Sequence, residues 1–347
     1  MGGKKLHFLV FTCTTITMML LITSYGIIPS SDLLKSQVLR GDNETMNVLR
    51  PKTAKQVANI TEIWKQQKVR LIRLKTVCEN LNRTSSFTPP EDYTARLLVN
   101  DHDGVLFGYI PKVGCKTWKG IFSESNKAYG QKPFLTLSEY NVAERTKRLQ
   151  RYKKVLFVRD PLIRFLSAYL SKFRNFKNLQ KTWEKMFGFK ILESYRPGSE
   201  ELLKKTRALP IDERPFLNVT LTEFIRFITD LGDTYVLHAI SDHWLPQHIV
   251  SHVCEIPYDF IGKYENLASE APFVLNWVGM ASVVQFPEIH LSKAATNLVY
   301  EYSNISLDVI EDLRKYYSLD FELFGYDSTE TIAKVTRDIF NMKILDS

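Results

Sequence analysis

Apolar residues in this chain are concentrated in two segments that share one pattern: a β-type run, a turn and a helical stretch. The first segment is FGYIPKVGCKTWKGIF (107–122), and the second is VLFVRDPLIRFLSAYLSKF (155–173). Val155–Val158 predicts a strand, and Asp160–Pro161 suit the N-cap and first position of the helix that follows. Alternating strand and helix patterns of this kind are typical of a single α/β domain whose mostly parallel central sheet is flanked by helices.

The turn in each segment is a candidate anion site. A turn at the carboxyl end of a strand that opens a helix presents free backbone N–H groups and the positive end of the helix dipole. Lys112 supplies a cation in the first turn and Arg159 in the second, and Ser167 follows Arg159 by about two helical turns. The pair predicts a ligand with two separated phosphate-like groups. Alternatively, Arg159 and Asp160 form a structural ion pair, and the second segment alone does not decide between these interpretations.

The first turn does not match the phosphate loop of classical nucleotide hydrolases. A Walker loop requires G-x-x-x-x-G-K-[ST], whereas the sequence around Lys112 is PKVGCKTW, in which the lysine precedes the glycine. A nucleotide ligand therefore fits the pattern, but classical nucleoside triphosphate hydrolysis does not.

Together the two segments resemble the 5′-phosphosulfate loop and the 3′-phosphate motif of sulfotransferases that use 3′-phosphoadenosine 5′-phosphosulfate (PAPS). They are most similar to the Golgi carbohydrate sulfotransferases that include the chondroitin and dermatan 4-O-enzymes and the glucuronyl 3-O-enzyme. Further blocks match this family in the same order, and the resemblance covers roughly residues 75–327. The matching positions are Pro111, Lys112, Val113, Cys115, Trp118, Lys119, Phe157, Val158, Arg159, Asp160, Pro161, Arg164, Ser167, Ala168, Tyr169, Lys172, Phe173, HW (243–244), Cys254, YDFIGKYENL (258–267) and DFELFGY (320–326).

The sequence departs from the family pattern at two places. Lys116–Thr117 stands where the family usually has Thr–Asn, and one cysteine of a Cys-x-Pro-Cys element is absent at Ser251–Cys254. Neither change removes Lys112 or Arg159, so the activity that the resemblance implies is retained, while the identity of the acceptor is less constrained.

The resemblance implies a PAPS site with a P-loop-like cofactor loop and no metal. Lys112 would neutralise the charge that develops on the leaving phosphate, and Arg159 and Ser167 would hold the 3′-phosphate. No Cys or His spacing predicts a zinc site. The cofactor-binding residues implied by the matched motifs are Pro111, Lys112, Val113, Gly114, Cys115, Lys116, Thr117, Trp118, Arg159, Asp160, Pro161, Arg164 and Ser167.

Transfer to a hydroxyl also requires a general base. Related sulfotransferases often place a histidine between the two cofactor motifs, but residues 116–158 contain none. His243 is our first candidate because it matches the HW block of the family. The alternatives are the neighbouring His238 and His248 and the carboxylates Glu139 and Glu144, and each of the three histidines, His243 included, could equally be a packed structural residue.

The amino-terminal part of the chain predicts a secretory-pathway enzyme. Residues 8–28 are apolar and uncharged and are long enough to span a bilayer, and the preceding lysines predict a cytoplasmic amino terminus. A cleaved signal peptide is the rival interpretation, although the stretch is longer than a normal signal core. We expect a cytoplasmic tail at 1–7, a transmembrane signal anchor at 8–28, a lumenal stem at 29–95 and a sulfotransferase domain at 96–347, which together describe a single-pass type II protein of the Golgi membrane.

The stem carries a helical pattern at roughly 52–80, which we interpret as a spacer in preference to a dimerisation element. Sequons in and after the stem predict a glycoprotein. The sequon asparagines are Asn43, Asn59, Asn82, Asn218 and Asn304.

Four cysteines are too few for a disulfide scaffold. Cys13 lies in the predicted anchor and Cys115 in the cofactor loop. Cys78 and Cys254 remain as a candidate disulfide in an oxidising lumen, although pairing cannot be derived from sequence.

The formal net charge of +8 favours polyanionic partners. Two basic clusters are candidates for steering a sulfated or uronate-bearing polymer, although solvated surface is their default interpretation. Nucleic acid is a less suitable polyanionic partner, because the predicted membrane anchor and the sequons place the domain in a compartment away from nucleic acid. The clusters are Arg145, Lys147, Arg148, Arg151, Lys153 and Lys154, and Lys172, Arg174 and Lys177.

We expect sulfuryl transfer from PAPS to a carbohydrate hydroxyl. The first acceptor choice is the 4-O position of N-acetylgalactosamine (GalNAc) in chondroitin or dermatan, followed by terminal glucuronate 3-O and N-glycan GalNAc 4-O. A membrane-anchored, glycan-binding pseudoenzyme is the alternative from a different functional class.

Overall fold

The computed structural model describes residues 53–83, 91–174, 182–231, 241–288, 292–333 and 335. The expectations for residues 1–7 and 8–28, and for Asn43, His238 and Lys177, lie outside these residues. None of the helices in the described part of the chain combines the length and the apolarity needed to cross a membrane.

A four-stranded mixed sheet forms the centre of the fold. The strands β1 (Leu97–Asn100), β2 (Val105–Gly108), β3 (Lys153–Val158) and β4 (Phe260–Lys263) lie side by side in that order. β2, β3 and β4 are parallel, and β1 pairs with β2 as an antiparallel edge strand. The predicted α/β class is confirmed, with two of the three strand pairings parallel.

Helices surround this sheet and supply most of the chain between its strands. A short π-helical segment, Glu184–Gly188, precedes the sixth helix. The helices are α1 (Ala54–Asn80), α2 (Glu91–Thr94), α3 (Cys115–Ala128), α4 (Val142–Arg151), α5 (Pro161–Lys172), α6 (Phe189–Tyr195), α7 (Glu200–Ala208), α8 (Leu221–Leu231), α9 (Gln247–Ser251), α10 (Leu267–Val278), α11 (Lys293–Thr296), α12 (Leu298–Tyr302), α13 (Leu307–Tyr316) and α14 (Ser318–Phe324).

Aromatic side chains hold the helices that follow β2 and β3 in place. Trp118 of α3 stacks on Phe107 of β2, with ring centroids 4.4 Å apart, and also contacts Phe157 of β3. On α5, Phe165 stacks on Phe224 of α8 at 5.1 Å, within a second apolar cluster. Burial of such rings, at about 25 cal/mol per Å² of apolar surface, holds α3 on the sheet and α5 against α8.

The helix predicted at 52–80 is present as α1, but it packs on the sheet instead of forming a free spacer. The fully buried Gln67 amide donates to the carbonyl of Ile261 at 2.9 Å and accepts its N–H at 3.0 Å, which satisfies the outer edge of β4. Arg70 forms an ion pair with Glu270 of α10 at 2.8 Å. α1 thus belongs to the same compact unit as the sheet, and this unit begins before residue 96.

Cys78 and Cys254 form a disulfide that joins α1 to the segment before β4, with Cα atoms 5.5 Å apart. The asparagines of four sequons, Asn59, Asn82, Asn218 and Asn304, are exposed.

Candidate active site

The carboxyl ends of the three parallel strands meet at one edge of the sheet. Gly108 of β2 is paired with Leu156 of β3, and Val158 of β3 is paired with Lys263 of β4. The turns that follow these strands are therefore neighbours, as in other open α/β sheets that bind ligands at this edge.

The first turn leaves the start of α3 open. Gly114, the residue before the helix, has a left-handed backbone (φ 69°), and no described side chain caps the helix. Lys112 also has a positive φ of 72°, which is uncommon for a lysine and is kept here by the buried neighbours Pro111 and Val113. The N–H groups of the first helical turn and the Lys112 side chain are available for an anion.

Lys112 is a cation without a counter-ion, since no carboxylate lies within ion-pair distance of its ammonium group among the described residues. Burial, together with the positive charges of Lys172 and Arg159, lowers the pKa of Lys112 to about 8. An anionic ligand would relieve this repulsion.

Arg159 in the second turn is held against the first turn. Its guanidinium donates to the carbonyl oxygen of Lys112 at 3.0 Å and to the hydroxyl of Ser292, and it lies over the ring of Tyr264 at 4.4 Å. Only 2% of Arg159 is exposed, and its Nε has no hydrogen-bond partner in the described part of the chain. Burial lowers the pKa of Arg159, as expected for a cation that lacks a carboxylate partner.

Asp160 caps α5 and does not pair with Arg159. Its carboxylate accepts the N–H of Ile163 at 3.0 Å and the hydroxyl of Thr331 at 2.9 Å, and its own N–H donates to Glu265. Burial raises the pKa of Asp160. The alternative of a structural Arg159–Asp160 ion pair is therefore wrong, whereas Asp160 at the N-cap and Pro161 at the first position are confirmed.

Arg164 connects the two turns from inside the protein. It is fully buried, and its three nitrogens donate to the carbonyls of Pro111 (3.0 Å), Leu245 (2.7 Å) and Asp242 (2.8 Å). The prediction that Arg164 contacts the cofactor needs correction, because each of its nitrogens already donates to a backbone carbonyl, one in the first turn and two beside His243. Trp118 also packs in the core instead of facing the site.

The other predicted cofactor-binding residues divide into buried residues that shape the turns and residues that are at least partly exposed. Pro111, Val113, Asp160 and Pro161 are buried and shape the turns. The residues with at least partial exposure are Lys112, Gly114, Cys115, Lys116, Thr117 and Ser167.

His243 lies beside an acidic residue and near two cations. Its Nδ1 is 2.8 Å from Oδ1 of Asp242, in a close contact whose angle does not suit a hydrogen bond. Asp242 also accepts from Arg96 at 2.6 Å. Burial lowers the pKa of His243, and the charges of Lys172 and Lys112 lower it further, although Asp242 opposes this shift. The imidazole is therefore neutral near neutral pH and lies within electrostatic range of Lys112.

The rival bases are engaged elsewhere. His248 contacts the buried Asp320 at 2.7 Å. Glu139 binds Lys132 and caps its own short helix. Glu144 binds Arg148, which reaches Asp101 in the hairpin between β1 and β2, at the opposite end of β2 from Lys112.

Much of the first basic cluster stabilises the fold instead of forming a free surface. Lys153 donates to the carbonyl of Trp277, Lys154 pairs with Asp259, and Arg148 pairs with Asp101. In the second cluster, Arg174 lies near Glu301, and Lys172 lies near the candidate active site. The sequence predicts Lys172 both as a family-motif position and as part of this basic cluster, and the Trp183 ring that it shares with His243 shows which of the two applies.

Two further site residues were missed. Ser292 and Gln247 both bind Arg159, Ser292 through the guanidinium and Gln247 through the backbone N–H and carbonyl. Neither carries a local sequence signal. Within the described residues, no group of three or more His, Cys, Asp or Glu side chains could hold a metal ion.

The model of the Sulfotransferase family matches residues 95–327, which include both turns and His243. The chain belongs to the sulfotransferase family. The prediction of a sulfotransferase enzyme is confirmed, and this family implies PAPS as the sulfuryl donor.

Among curated proteins, this sulfotransferase is 31% identical to carbohydrate sulfotransferase 14 of Danio rerio over 78% of the chain and 74% of that relative. It is 32% identical to carbohydrate sulfotransferase 14 of Mus musculus over 66% of the chain and 60% of that relative. For carbohydrate sulfotransferase 11 of Rattus norvegicus, identity is 30% over 71% of each protein. No solved structure matches the chain.

The site residues of this sulfotransferase fit such a donor. The uncapped start of α3 and the unpaired Lys112 suit one anionic group, and the Arg159 guanidinium, with its unpartnered Nε, suits another. The two cations lie on adjacent turns, as a donor with anionic groups at both ends requires.

Proposed function

We propose that this protein transfers a sulfuryl group from PAPS to a carbohydrate hydroxyl, with GalNAc 4-O of chondroitin or dermatan as the first acceptor. The observation that carries the proposal is the hydrogen bond from Arg159 to the carbonyl of Lys112. It brings two turns with unpaired cations into contact, near a neutral histidine, and this is the arrangement that a phosphosulfate donor and a hydroxyl acceptor need.

Lys112 and the start of α3 would hold the phosphosulfate group, and Arg159 and Ser167 would hold the 3′-phosphate. When bound, the donor supplies an activated sulfuryl group whose bond to phosphate oxygen breaks as the bond to the acceptor oxygen forms. Lys112 stabilises the negative charge that develops on the leaving phosphate oxygen. Preorganised groups of this kind contribute about 3–4 kcal/mol to transition-state stabilisation.

His243 would accept the proton of the acceptor hydroxyl. Its lowered pKa keeps the imidazole unprotonated at neutral pH, which is the form that a base needs. A positioned base contributes about 10²–10⁴-fold to the rate. The proton moves from the hydroxyl to His243, and the products are a sulfate ester and 3′-phosphoadenosine 5′-phosphate (PAP).

The relatives are named carbohydrate sulfotransferases, which supports a glycan acceptor, and the net charge of +8 suits an anionic one. Terminal glucuronate 3-O and N-glycan GalNAc 4-O are the next acceptors. We place the protein in the Golgi membrane as a type II glycoprotein, on the basis of the apolar stretch 8–28 and the exposed sequons.

The test is transfer of radiolabelled sulfate from PAPS by the purified full-length protein. The acceptors are desulfated chondroitin, desulfated dermatan, a glucuronate-terminated oligosaccharide and a GalNAc-terminated N-glycan. Lys112→Ala is compared with Lys127→Ala, an exposed lysine in the last turn of α3.

Label on chondroitin or dermatan that is lost only in Lys112→Ala is the expected result. Label on another acceptor would replace the proposed acceptor but keep the reaction. A folded protein that binds PAP and labels none of the acceptors would favour the glycan-binding pseudoenzyme, for which the altered Lys116–Thr117 pair is the supporting feature.

A further inference from the structure

Lys172 at the end of α5 is a half-buried cation that lies over an aromatic ring. Its ammonium lies 4.3 Å from the ring centroid of Trp183. Lys119 likewise lies over an aromatic ring, that of Tyr109, whereas Lys153, Lys154 and Lys263 each donate to a backbone carbonyl. Lys172 makes no hydrogen bond or ion pair with the described residues, and burial lowers its pKa. The Trp183 ring and the nearby charge of Asp242 offset only part of the hydration that this cation loses.

The candidate base shares the same indole. The ring of His243 meets Trp183 edge-on at a centroid distance of 5.3 Å. Asp242, the acid in this region, is engaged by Arg96 and lies against His243. Lys172 therefore borders the place where the acceptor hydroxyl must lie if His243 removes its proton.

Lys172 and Arg159 mark opposite ends of one helix. α5 contains 12 residues, which at 1.5 Å per residue is about 18 Å. Lys112 lies within electrostatic range of both residues, because the positive charges of Lys172 and Arg159 lower its pKa. A donor held at Arg159 and Lys112 would leave the opposite end of α5, where Lys172 and His243 share the Trp183 ring, for the acceptor.

We propose that Lys172 binds the carboxylate of a uronic acid that neighbours the acceptor sugar and so determines specificity for a uronate-bearing chain. An ammonium group is a compact point charge that suits a carboxylate, and the Trp183 ring beneath it restricts its position. The exposed Lys116 at the start of α3 adds positive charge nearby. This inference rests on the proposed function, which supplies the acceptor and the role of His243.

The test compares full-length wild type, Lys172→Gln and Lys172→Arg with Lys204→Gln, an exposed lysine on α7. Each protein is assayed with desulfated chondroitin and with the same polymer after chemical reduction of its carboxyl groups, and PAP affinity is measured by calorimetry. We expect Lys172→Gln to raise the KM for chondroitin about tenfold, as for the loss of one charged contact. On the reduced polymer it should equal wild type, PAP affinity should change less than about twofold, Lys172→Arg should recover much of the KM, and Lys204→Gln should behave as wild type.

An equal loss on both polymers, a loss of kcat alone, weaker PAP binding or no effect would each overturn the inference. If wild type labels only acceptors that lack uronate, the inference fails while sulfuryl transfer stands. If wild type labels none of the acceptors in the full panel, the proposed function itself fails, so the two failures are distinguishable.

Discussion

The two turns at the carboxyl edge of the sheet share one local architecture, a strand end followed by a helix. They differ in how many of their hydrogen-bond donors are already engaged within the protein. In the turn before α3, the backbone of Lys112 is in the left-handed region, and no described side chain caps the start of the helix. The turn before α5 is capped by Asp160, and its Arg159 is already bonded to Lys112, Ser292 and Gln247. One turn leaves its donors free, and the other has most of them engaged.

This difference assigns different tasks to the two cations. Chemistry requires a group whose interaction strengthens as charge develops, and the free Lys112 can provide it. Anchoring requires a donor fork that is already oriented before the ligand arrives, which describes Arg159. The comparison therefore predicts that the two turns respond differently to matched substitutions.

Lys112→Ala should have the largest effect on the reaction. It removes the charge that balances the leaving phosphate, and we expect kcat to fall about 10²–10³-fold. Single-turnover rates with saturating PAPS measure this, with Lys127→Ala as the control. An unchanged kcat with only a raised KM for PAPS would show that Lys112 merely binds.

Arg164→Met should reduce both stability and the order of the first turn. The change leaves the carbonyls of Pro111, Leu245 and Asp242 without their buried donor, and we expect the free energy of unfolding to fall by about 3 kcal/mol. Chemical denaturation measures it, with Arg151→Met on the exposed end of α4 as the control. Stability equal to wild type would contradict the bridging role.

Arg159→Ala should weaken PAP binding more than it slows transfer at saturating donor. Loss of a charged hydrogen-bonding group costs about 2 kcal/mol, or about 30-fold in affinity. Calorimetry with PAP and rates at saturating PAPS separate the two quantities. A fall in kcat as large as that of Lys112→Ala would remove the distinction between the turns.

The smallest expected difference between the two turns is in the pH dependence of PAP affinity. Because the pKa of Lys112 is about 8, its ammonium form is complete well below pH 8 and is lost as pH rises through this value. PAP affinity should therefore decline as pH rises through 8, by up to about tenfold per pH unit well above this value. Lys112→Arg should flatten this decline because guanidinium stays charged, and Cys115→Ser tests the neighbouring thiol. A decline that persists in Lys112→Arg would assign it to another group.

The local features of the site could be predicted from sequence, because strand, turn, cap and cation are adjacent in the chain. The Asp160 cap and the position of Arg159 after β3 are examples. The partners of these residues could not be predicted, since Ser292 is 133 residues from Arg159 and Ile261 is 194 residues from Gln67. For the same reason, Arg164 was assigned to the ligand although distant carbonyls occupy its donors.

The most direct test of the division between the two turns is a calorimetric comparison of PAP, adenosine 5′-monophosphate and adenosine 3′-monophosphate. Lys112→Ala should weaken binding of PAP and the 5′-monophosphate and leave the 3′-monophosphate within about twofold. Arg159→Ala should weaken PAP and the 3′-monophosphate and spare the 5′-monophosphate. Equal losses for both monophosphates in both variants would contradict the assignment of one phosphate to each turn.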